Sequence, residues 1–304
     1  GRQSGAGLEK GYGAMICNLC PRNCGAQRDE AQGAGVCGMP ALPVLARAAL
    51  HQWEEPPISG TRGSGTVFFS GCSLGCVFCQ NEEISHRGVG KTVTHERLRE
   101  ICGELIDQGA HNINLVNPTH YAHAVSRLLE QPLGVPVVWN SGGYDKVETL
   151  RALEGKVDVW LPDLKYPDSA SAGRYSGAED YPETAKKAIL EMYRQTGPVV
   201  LEDGLLKRGV LIRHLVLPGG VNRAKEIMDW VADSFPKGAV LFSLMSQYIP
   251  WGNAEHYPEI CRRLRKSEIR AANEYMENLG LAGFTQEAES ALREYTPDFD
   301  LTGI

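Results

Sequence analysis

The sequence predicts an α/β protein, a partial (β/α)6 TIM barrel with a small N-terminal cysteine-rich metal module. Three observations carry this. After residue 66, short β-branched runs alternate with amphipathic stretches, the pattern of βα units around a parallel sheet. Six such units occupy about 220 residues, where a closed eightfold barrel takes about 250. Seven of the nine cysteines fall in two blocks, one ahead of the first unit and one directly after its strand. The pattern alone also admits an open doubly wound sheet. The expected division is an N-terminal segment with the metal module at 1–57, the barrel at 58–285 and a C-terminal tail at 286–304.

The first block, MICNLCPRNCGAQRDEAQGAGVCG, sets Cys17, Cys20, Cys24 and Cys37 in a C-x2-C-x3-C-x12-C array with Pro21, Asn23 and Gly25 as turn formers. Four thiolates complete one tetrahedral site or one fully ligated cluster, so zinc and iron-sulfur both fit, zinc slightly better on frequency. A metal-free set of reduced thiols is the plain alternative.

The second block follows the apolar run TVFFSG. CSLGCVFC places Cys72, Cys76 and Cys79 at three- and two-residue gaps in one tight loop. A [4Fe-4S] cubane suits such short separations, and three local ligands leave the fourth iron open to a further molecule. Zinc, or free thiols that merely pack, are the alternatives.

Strands are expected near 66–71, 112–117, 136–141, 157–162, 209–217 and 239–245. Between the first two, TVTHERLREICGELIDQGA repeats Leu98, Ile101, Cys102 and Leu105 at helical spacing and stops at Gly109, which makes Cys102 a packing residue. Tyr121, Val125, Leu128 and Leu129 form the next stripe. Cys261, beside Ile260 and Leu264, is assigned to another, and the nearby Arg262, Arg263, Arg265 and Lys266 read as its solvated face.

In parallel barrels the chemistry sits at the carboxyl ends of the strands. There the chain places Asn117-Pro118-Thr119-His120, Asn140-Ser141-Gly142-Gly143 and Leu161-Pro162-Asp163-Leu164-Lys165. Asn117 and Thr119 can supply acceptors, although Thr119 also suits a helix cap. Gly142 and Gly143 would let backbone approach a ligand or simply make a turn. Asp163 and Lys165 are two residues apart and share a face, as ligand contacts or as an ion pair. His214 lies within the fifth strand and reads as a core residue. Ser246, Gln247 and Tyr248 end the sixth as candidate substrate contacts, and TQEAESALREYTPDFD is expected across the barrel's open side.

The loop CSLGCVFCQN resembles the radical S-adenosylmethionine (SAM) superfamily, whose CxxxCxxC loop leaves one iron free to chelate SAM. Its aromatic residue and Gln-Asn pair are similar to the pyruvate formate-lyase activating enzyme branch, and LPDLKY matches that branch's Asp-Leu-Lys segment. The resemblance spans roughly residues 15 to 290, including the four-cysteine array of a group related to those enzymes. It implies a partial barrel with a [4Fe-4S] cluster on Cys72, Cys76 and Cys79, and SAM held by Asn117, Thr119, Asn140, Ser141, Asp163 and Lys165. Reductive cleavage of SAM would then give a 5′-deoxyadenosyl radical that abstracts hydrogen. The implied targets are a glycyl-radical protein or, alternatively, a peptide or small molecule. The implied reductant is a flavodoxin or ferredoxin. The chain departs from the branch in two places: Asn140 replaces the aspartate of its Asp-Thr-Asn-Gly turn, which puts a monovalent cation beside SAM in doubt, and the ferredoxin-like insert that follows the SAM loop in some activases is absent. An iron-sulfur electron carrier or sensor that never cleaves SAM is the reading from another class.

Composition sets outer bounds. The chain has 304 residues, 42% hydrophobic and 22% charged, with net charge −6, average for a globular protein and unsuited to general nucleic-acid binding. No run of eighteen apolar residues occurs, so no membrane span is expected. GRQSGAGLEKGYG lacks a signal-peptide core, and its first glycine is expected to follow a removed tag or upstream segment. Nine cysteines without an export signal read as metal ligands in a reducing cytoplasm. The stretch 59–65, SGTRGSG, lacks the Lys-Ser/Thr ending of a phosphate-binding loop.

Overall fold

A short hairpin, β1 (Met15–Ile16) with β2 (Gln27–Arg28), opens the computed structural model, which describes residues 14–286 and 297–304. The remaining strands are β3 (Val44–His51), β4 (Ser64–Phe69), β5 (Lys91–Thr92), β6 (Ile113–Val116), β7 (Val137–Ser141), β8 (Val159–Pro162), β9 (Val200–Glu202), β10 (Leu205–Leu215), β11 (Leu241–Met245) and β12 (Gly283–Gln286). They form one sheet in the order β12-β11-β10-β8-β7-β6-β4-β3-β5, with β9 paired to β10. From β4 to β12 every neighbour along that order is parallel. All six expected strands are present as β4, β6, β7, β8, β10 and β11, and the architecture is the α/β, largely parallel one that the alternating pattern predicted.

The central parallel strands β4, β7 and β8 are buried on both faces, as strands covered by helices on one side and a core on the other must be. The outer face meets the helices: Thr94 caps His95–Asp107 by accepting from the Arg97 N–H, and Leu98, Ile101, Cys102 and Leu105 pack inward as their spacing required. Trp139 and Trp160 meet edge to face under the helical layer, centroids 6.0 Å apart. The inner face is layered. Ile58, from the short helix Pro56–Ser59, plugs the amino-terminal end among Val138, Val159, Leu161, Leu211 and Leu241. Two residues further along these strands the same face becomes polar at Asn140, Asp163, Arg213 and Ser243, because strand side chains alternate with period two.

The sheet extends past both ends of 58–285. β3 pairs antiparallel to β4 along its whole length, and β12 adds a parallel strand beyond β11. At the β3 edge Ala48 N–H donates to Thr302 O and Leu301 N–H to Ala46 O, while Phe299 sits on Phe68 with centroids 5.4 Å apart. The C-terminal segment thus meets both edges of the sheet; 287–296, the middle of the stretch expected to span the open side, lie outside the described residues.

One expectation is corrected. Cys261 is exposed in a turn and belongs to no helical stripe, and Arg262 and Arg263 precede the helix, which runs Lys266–Leu279. Glu268 fixes that start by accepting from the N–H groups of Arg265 and Gly219, while Arg262 pairs with the same carboxylate at 2.7 Å. Among the described residues no helix is long and apolar enough to cross a membrane.

Candidate functional site

The three-cysteine loop leaves the carboxyl end of β4 through Gly71, whose φ of +82° only glycine takes easily. A Cβ there would lie 2.2 Å from Met39 Cγ. Asn117, itself at φ +58°, donates its side-chain amide to Gly71 O at 2.5 Å. Beyond this anchor each sulfur has its own donor. Leu74 N–H points to Cys72 Sγ at 3.3 Å, Ser176 Oγ–H to Cys76 Sγ at 3.0 Å, and Ser85 Oγ–H to Cys79 Sγ at 3.2 Å. Tyr166 OH lies 2.7 Å behind Ser176 Oγ and completes a relay. Phe78 packs edge-on between Tyr175 and Tyr248, centroids 6.4 and 5.9 Å away.

Burial pushes the Cys79 thiol up to about 12, and neighbouring Cys76 and Cys72 add to it. Burial also raises Cys76, against the pull of the Lys165 cation. Three neighbouring thiols, each with a donor waiting for negative charge, fit a bound cation that takes all three as thiolates. Among the described residues no three His, Cys, Asp or Glu side chains stand as tightly as the ligands of one ion. A cubane is wider than a single ion, so its ligand sulfurs stand further apart than the roughly 4 Å set by 2.3 Å metal–sulfur bonds in a tetrahedral site.

The strand-end residues form two hydrogen-bonded groups. In the first, Lys165 Nζ donates to Asp163 Oδ2 at 2.6 Å, Arg213 Nε to Asp163 Oδ1 at 2.9 Å, and Arg213 Nη1 to Glu54 Oε1 at 2.9 Å. Asn140 accepts from Arg213 at 2.7 Å and donates to Glu54 at 3.0 Å. Two cations and two anions balance inside the barrel, which offsets much of the cost of desolvating them. Burial would raise Asp163, but Arg213 and Lys165 outweigh it and hold the carboxyl below its usual range. Against burial, Asp163 and the Cys76 sulfur keep Lys165 firmly charged. Glu55, next to Glu54, is buried under Ser243 and Gln286, and burial pushes its carboxyl up to about 7.

The second group centres on the buried Asp145, which accepts from Thr119 Oγ1 at 2.7 Å, Ser141 Oγ at 2.5 Å and Trp139 Nε1 at 3.3 Å. Both hydroxyls expected at the ligand thus face a carboxylate that ties β7 to the turn after β6. Gly142 and Gly143 admit neighbouring protein: a Cβ on Gly143 would lie 2.0 Å from Asp163 O, and one on Gly142 2.9 Å from Leu74 Cδ1. Lys165 N–H donates to Tyr181 OH, which lies 2.8 Å from Gly142 O, so β7 and β8 end in one fixed surface. His214 is buried with Nδ1 at 2.7 Å from Leu164 O, and burial lowers it to about 4, which keeps it neutral as a core histidine. Tyr248 OH donates to Ile260 O at 3.0 Å and Gln247 to Gln286, while Ser246 Oγ is buried without a hydrogen-bond partner.

In the N-terminal module Cys17, Cys24 and Cys37 lie near enough to Cys20 to act on its charge, though not as tightly as ligands of a single ion. Burial lifts the Cys20 thiol to about 11, and Cys37, Cys17 and Cys24 all raise it further. Arg28 is buried, donates to Cys17 Sγ at 3.4 Å and to His120 O at 2.6 Å, and lies over the Tyr121 ring. Arg22, from the turn between Cys20 and Cys24, reaches the carbonyls of Ser73, Leu74, Ser176 and Gly177.

Arg22, Arg28, Glu54, Glu55, Asp145, Ser176 and Arg213 escape a search for cysteine spacing and strand-end clusters. Arg213 had a signal, since it alternates with Leu211 and Leu215 on the face that Asp163 neighbours. The glutamates approach from a loop at the opposite end of the barrel and had none.

A family model described as a 4Fe-4S single cluster domain matches residues 59–177, which hold the three-cysteine loop, Ser176 and the ends of β6, β7 and β8. The uncharacterized protein MJ0674 of Methanocaldococcus jannaschii is 31% identical over 275 residues, 87% of this chain and 75% of that protein. Among solved structures, Streptococcus suis SuiB bound to S-adenosylmethionine has a TM-score of 0.54 at 16% identity, with 75% of this chain and 52% of SuiB covered. SuiB bound to its precursor peptide SuiA gives 0.53 at 16%, with 73% and 48% covered. The chain spans about half the length of SuiB, and at this identity the likeness is one of fold.

Proposed function

The chain belongs to the family of the M. jannaschii protein MJ0674 and has the fold of the radical SAM enzymes, and from that premise we propose that it is a radical SAM enzyme, with Cys72, Cys76 and Cys79 as ligands of a [4Fe-4S] cluster. The carrying observation is the loop itself: three thiols at the carboxyl end of β4, each met by a separate hydrogen-bond donor. When bound, the cluster and SAM supply reductive cleavage of SAM to methionine and a 5′-deoxyadenosyl radical, the hard chemistry that a protein positions but does not itself perform.

The chain's own residues then bind, orient and exclude water. Hydrogen bonds to the sulfurs from Ser85, Ser176 and the Leu74 N–H stabilise negative charge there and so set how readily the site accepts an electron. Asn117, Asn140, Asp163 and Lys165 offer amide, carboxylate and ammonium groups at adjacent strand ends, suited to the amino and carboxylate groups of SAM. Thr119 and Ser141 complete the proposed SAM set and are aligned through Asp145. Four more cysteines, Cys17, Cys20, Cys24 and Cys37, hold a second metal, zinc or an iron-sulfur cluster.

For the hydrogen donor we favour a peptide or small molecule over a glycyl-radical protein. Only fifteen residues lie between Cys79 and the helix starting at His95, which leaves no room for the ferredoxin-like insert of some activases. A flavodoxin or ferredoxin serves as reductant. The test is anaerobic: reduce the reconstituted chain with dithionite in the presence of SAM and quantify 5′-deoxyadenosine. The nucleoside is expected from the wild type and absent from a triple Cys72, Cys76, Cys79→Ala variant; none from a fully loaded cluster favours an electron carrier or sensor.

A further inference from the structure

The two cysteine sites lie on separate segments, yet the N-terminal module grips the three-cysteine loop at three places. Arg22 Nε donates to Ser73 O at 2.7 Å and Nη2 to Leu74 O at 3.3 Å, both inside the loop between Cys72 and Cys76. Its other contacts go to Ser176 O at 3.0 Å and Gly177 O at 2.5 Å, on the residue whose hydroxyl donates to Cys76 and on its neighbour. Met39, two residues after Cys37, fills the space over Gly71, the residue before Cys72. Arg28 holds His120 O, and the ring of His120 lies 2.7 Å from Ser70 O, so a chain of contacts runs from Cys17 to the start of the loop.

One planar guanidinium satisfies carbonyls from two segments that are a hundred residues apart in sequence and meet at Cys76. Lysine has no such fork. Arg22 keeps its place because it sits in the Cys20–Cys24 turn, where Asn23 takes φ +43° and donates its N–H to Cys20 O, while Tyr144 lies 5.4 Å beneath the guanidinium. Resting on the reading that the three thiols hold a cluster, we propose that Arg22 is a positioning residue for that cluster, so that the four-cysteine module sets the order and electron affinity of the three-cysteine loop. Removing the cation and its four carbonyl contacts frees Ser73–Leu74 from Ser176, weakens the hydrogen bond on Cys76, and takes a positive charge from beside the site.

The experiment compares anaerobically reconstituted full-length wild type, Arg22→Ala and Arg22→Lys by iron content, by the midpoint potential of the three-cysteine cluster, and by the linewidth of its reduced electron paramagnetic resonance signal. Arg22→Ala is expected to retain several-fold less iron, with a lower potential and a broader signal. Arg22→Lys keeps the charge but not the fork, and is expected to recover most of the potential but not the narrow line. An Arg22→Ala protein with wild-type iron content, potential and linewidth overturns the proposal. If Arg22→Ala does not fold, Arg22→Lys decides alone, and a wild-type linewidth in it overturns the proposal. A wild type that binds no cluster at the three cysteines contradicts the function proposed above, separately from the variants.

Discussion

The loop at Cys72, Cys76 and Cys79 has a donor on every sulfur and exposes none of them, with Cys76 buried and the other two half-buried, whereas the N-terminal module buries Cys17 and Cys20 but leaves Cys37 half-buried and Cys24 exposed. Although what burial it has raises the Cys24 thiol, the N–H groups of Ala26 and Val36 bring it below its usual value. The module is a two-stranded hairpin and turns, too small to hold a fold by apolar burial alone, and on the proposed reading a metal on its thiols adds to its hydrogen bonds with the barrel. The three-cysteine loop is the reverse: the barrel would hold it without metal, and what it lacks is a fourth cysteine. On the proposed reading one site is closed and structural and the other open and reactive, and Arg22 contacts both segments.

The largest break in that comparison comes from Cys76→Ser, which should abolish 5′-deoxyadenosine formation to the level of a no-enzyme control while the module's metal remains at one equivalent by elemental analysis. Cys24→Ser should do the opposite, releasing the module's metal and lowering the melting temperature, with each kcal/mol worth about 2–4 °C in a chain of this size. Residual iron at the other loop should then fall less than in Cys76→Ser.

The barrel also holds the module, through Lys146 on Asn23 and Thr149 on Leu19 O, but these contacts lie away from the strand interior, so changes at Glu55 and Asp145 should leave the module's metal untouched. Glu55 is neutral at low pH in the folded state, and burial lifts its carboxyl from 4.5 to about 7. A carboxyl raised in this way contributes stability below pH 4.5 that is lost as pH rises through 7, here about 3 kcal/mol. Glu55→Gln should flatten the denaturant-derived stability curve across that window; an unchanged slope would show that Glu55 ionises normally. Smaller still, Asp145→Asn disturbs the three hydrogen bonds from Thr119, Ser141 and Trp139 and should cost about 1–3 kcal/mol in urea unfolding. If Thr119 and Ser141 act on SAM through Asp145, this variant also weakens SAM binding by isothermal titration.

Legibility in the sequence followed the range of the interactions. The six strands and the helix at His95–Asp107 were readable because their apolar spacing is local. So were the two cysteine blocks, whose chemistry fixes their spacing. The β9–β10 hairpin had a signal in Asp203-Gly204, both at positive φ, that strand spacing overlooked. β3 pairs antiparallel to β4 outside the repeating βα pattern, so periodicity gave it no place in the barrel. The partners that orient the site were hidden for a different reason: Arg22 to Ser176, Glu54 to Arg213 and Thr119 to Asp145 are contacts across 154, 159 and 26 residues, and no local spacing encodes them.

The most direct test of an open cluster beside a closed metal site is the electron paramagnetic resonance spectrum of the dithionite-reduced chain with and without SAM. The account predicts a [4Fe-4S] signal that changes when SAM is added and disappears in the Cys72, Cys76, Cys79→Ala variant, with the module's metal retained. A fully loaded cluster whose spectrum ignores SAM, or a SAM-responsive signal that survives the triple variant, would contradict it.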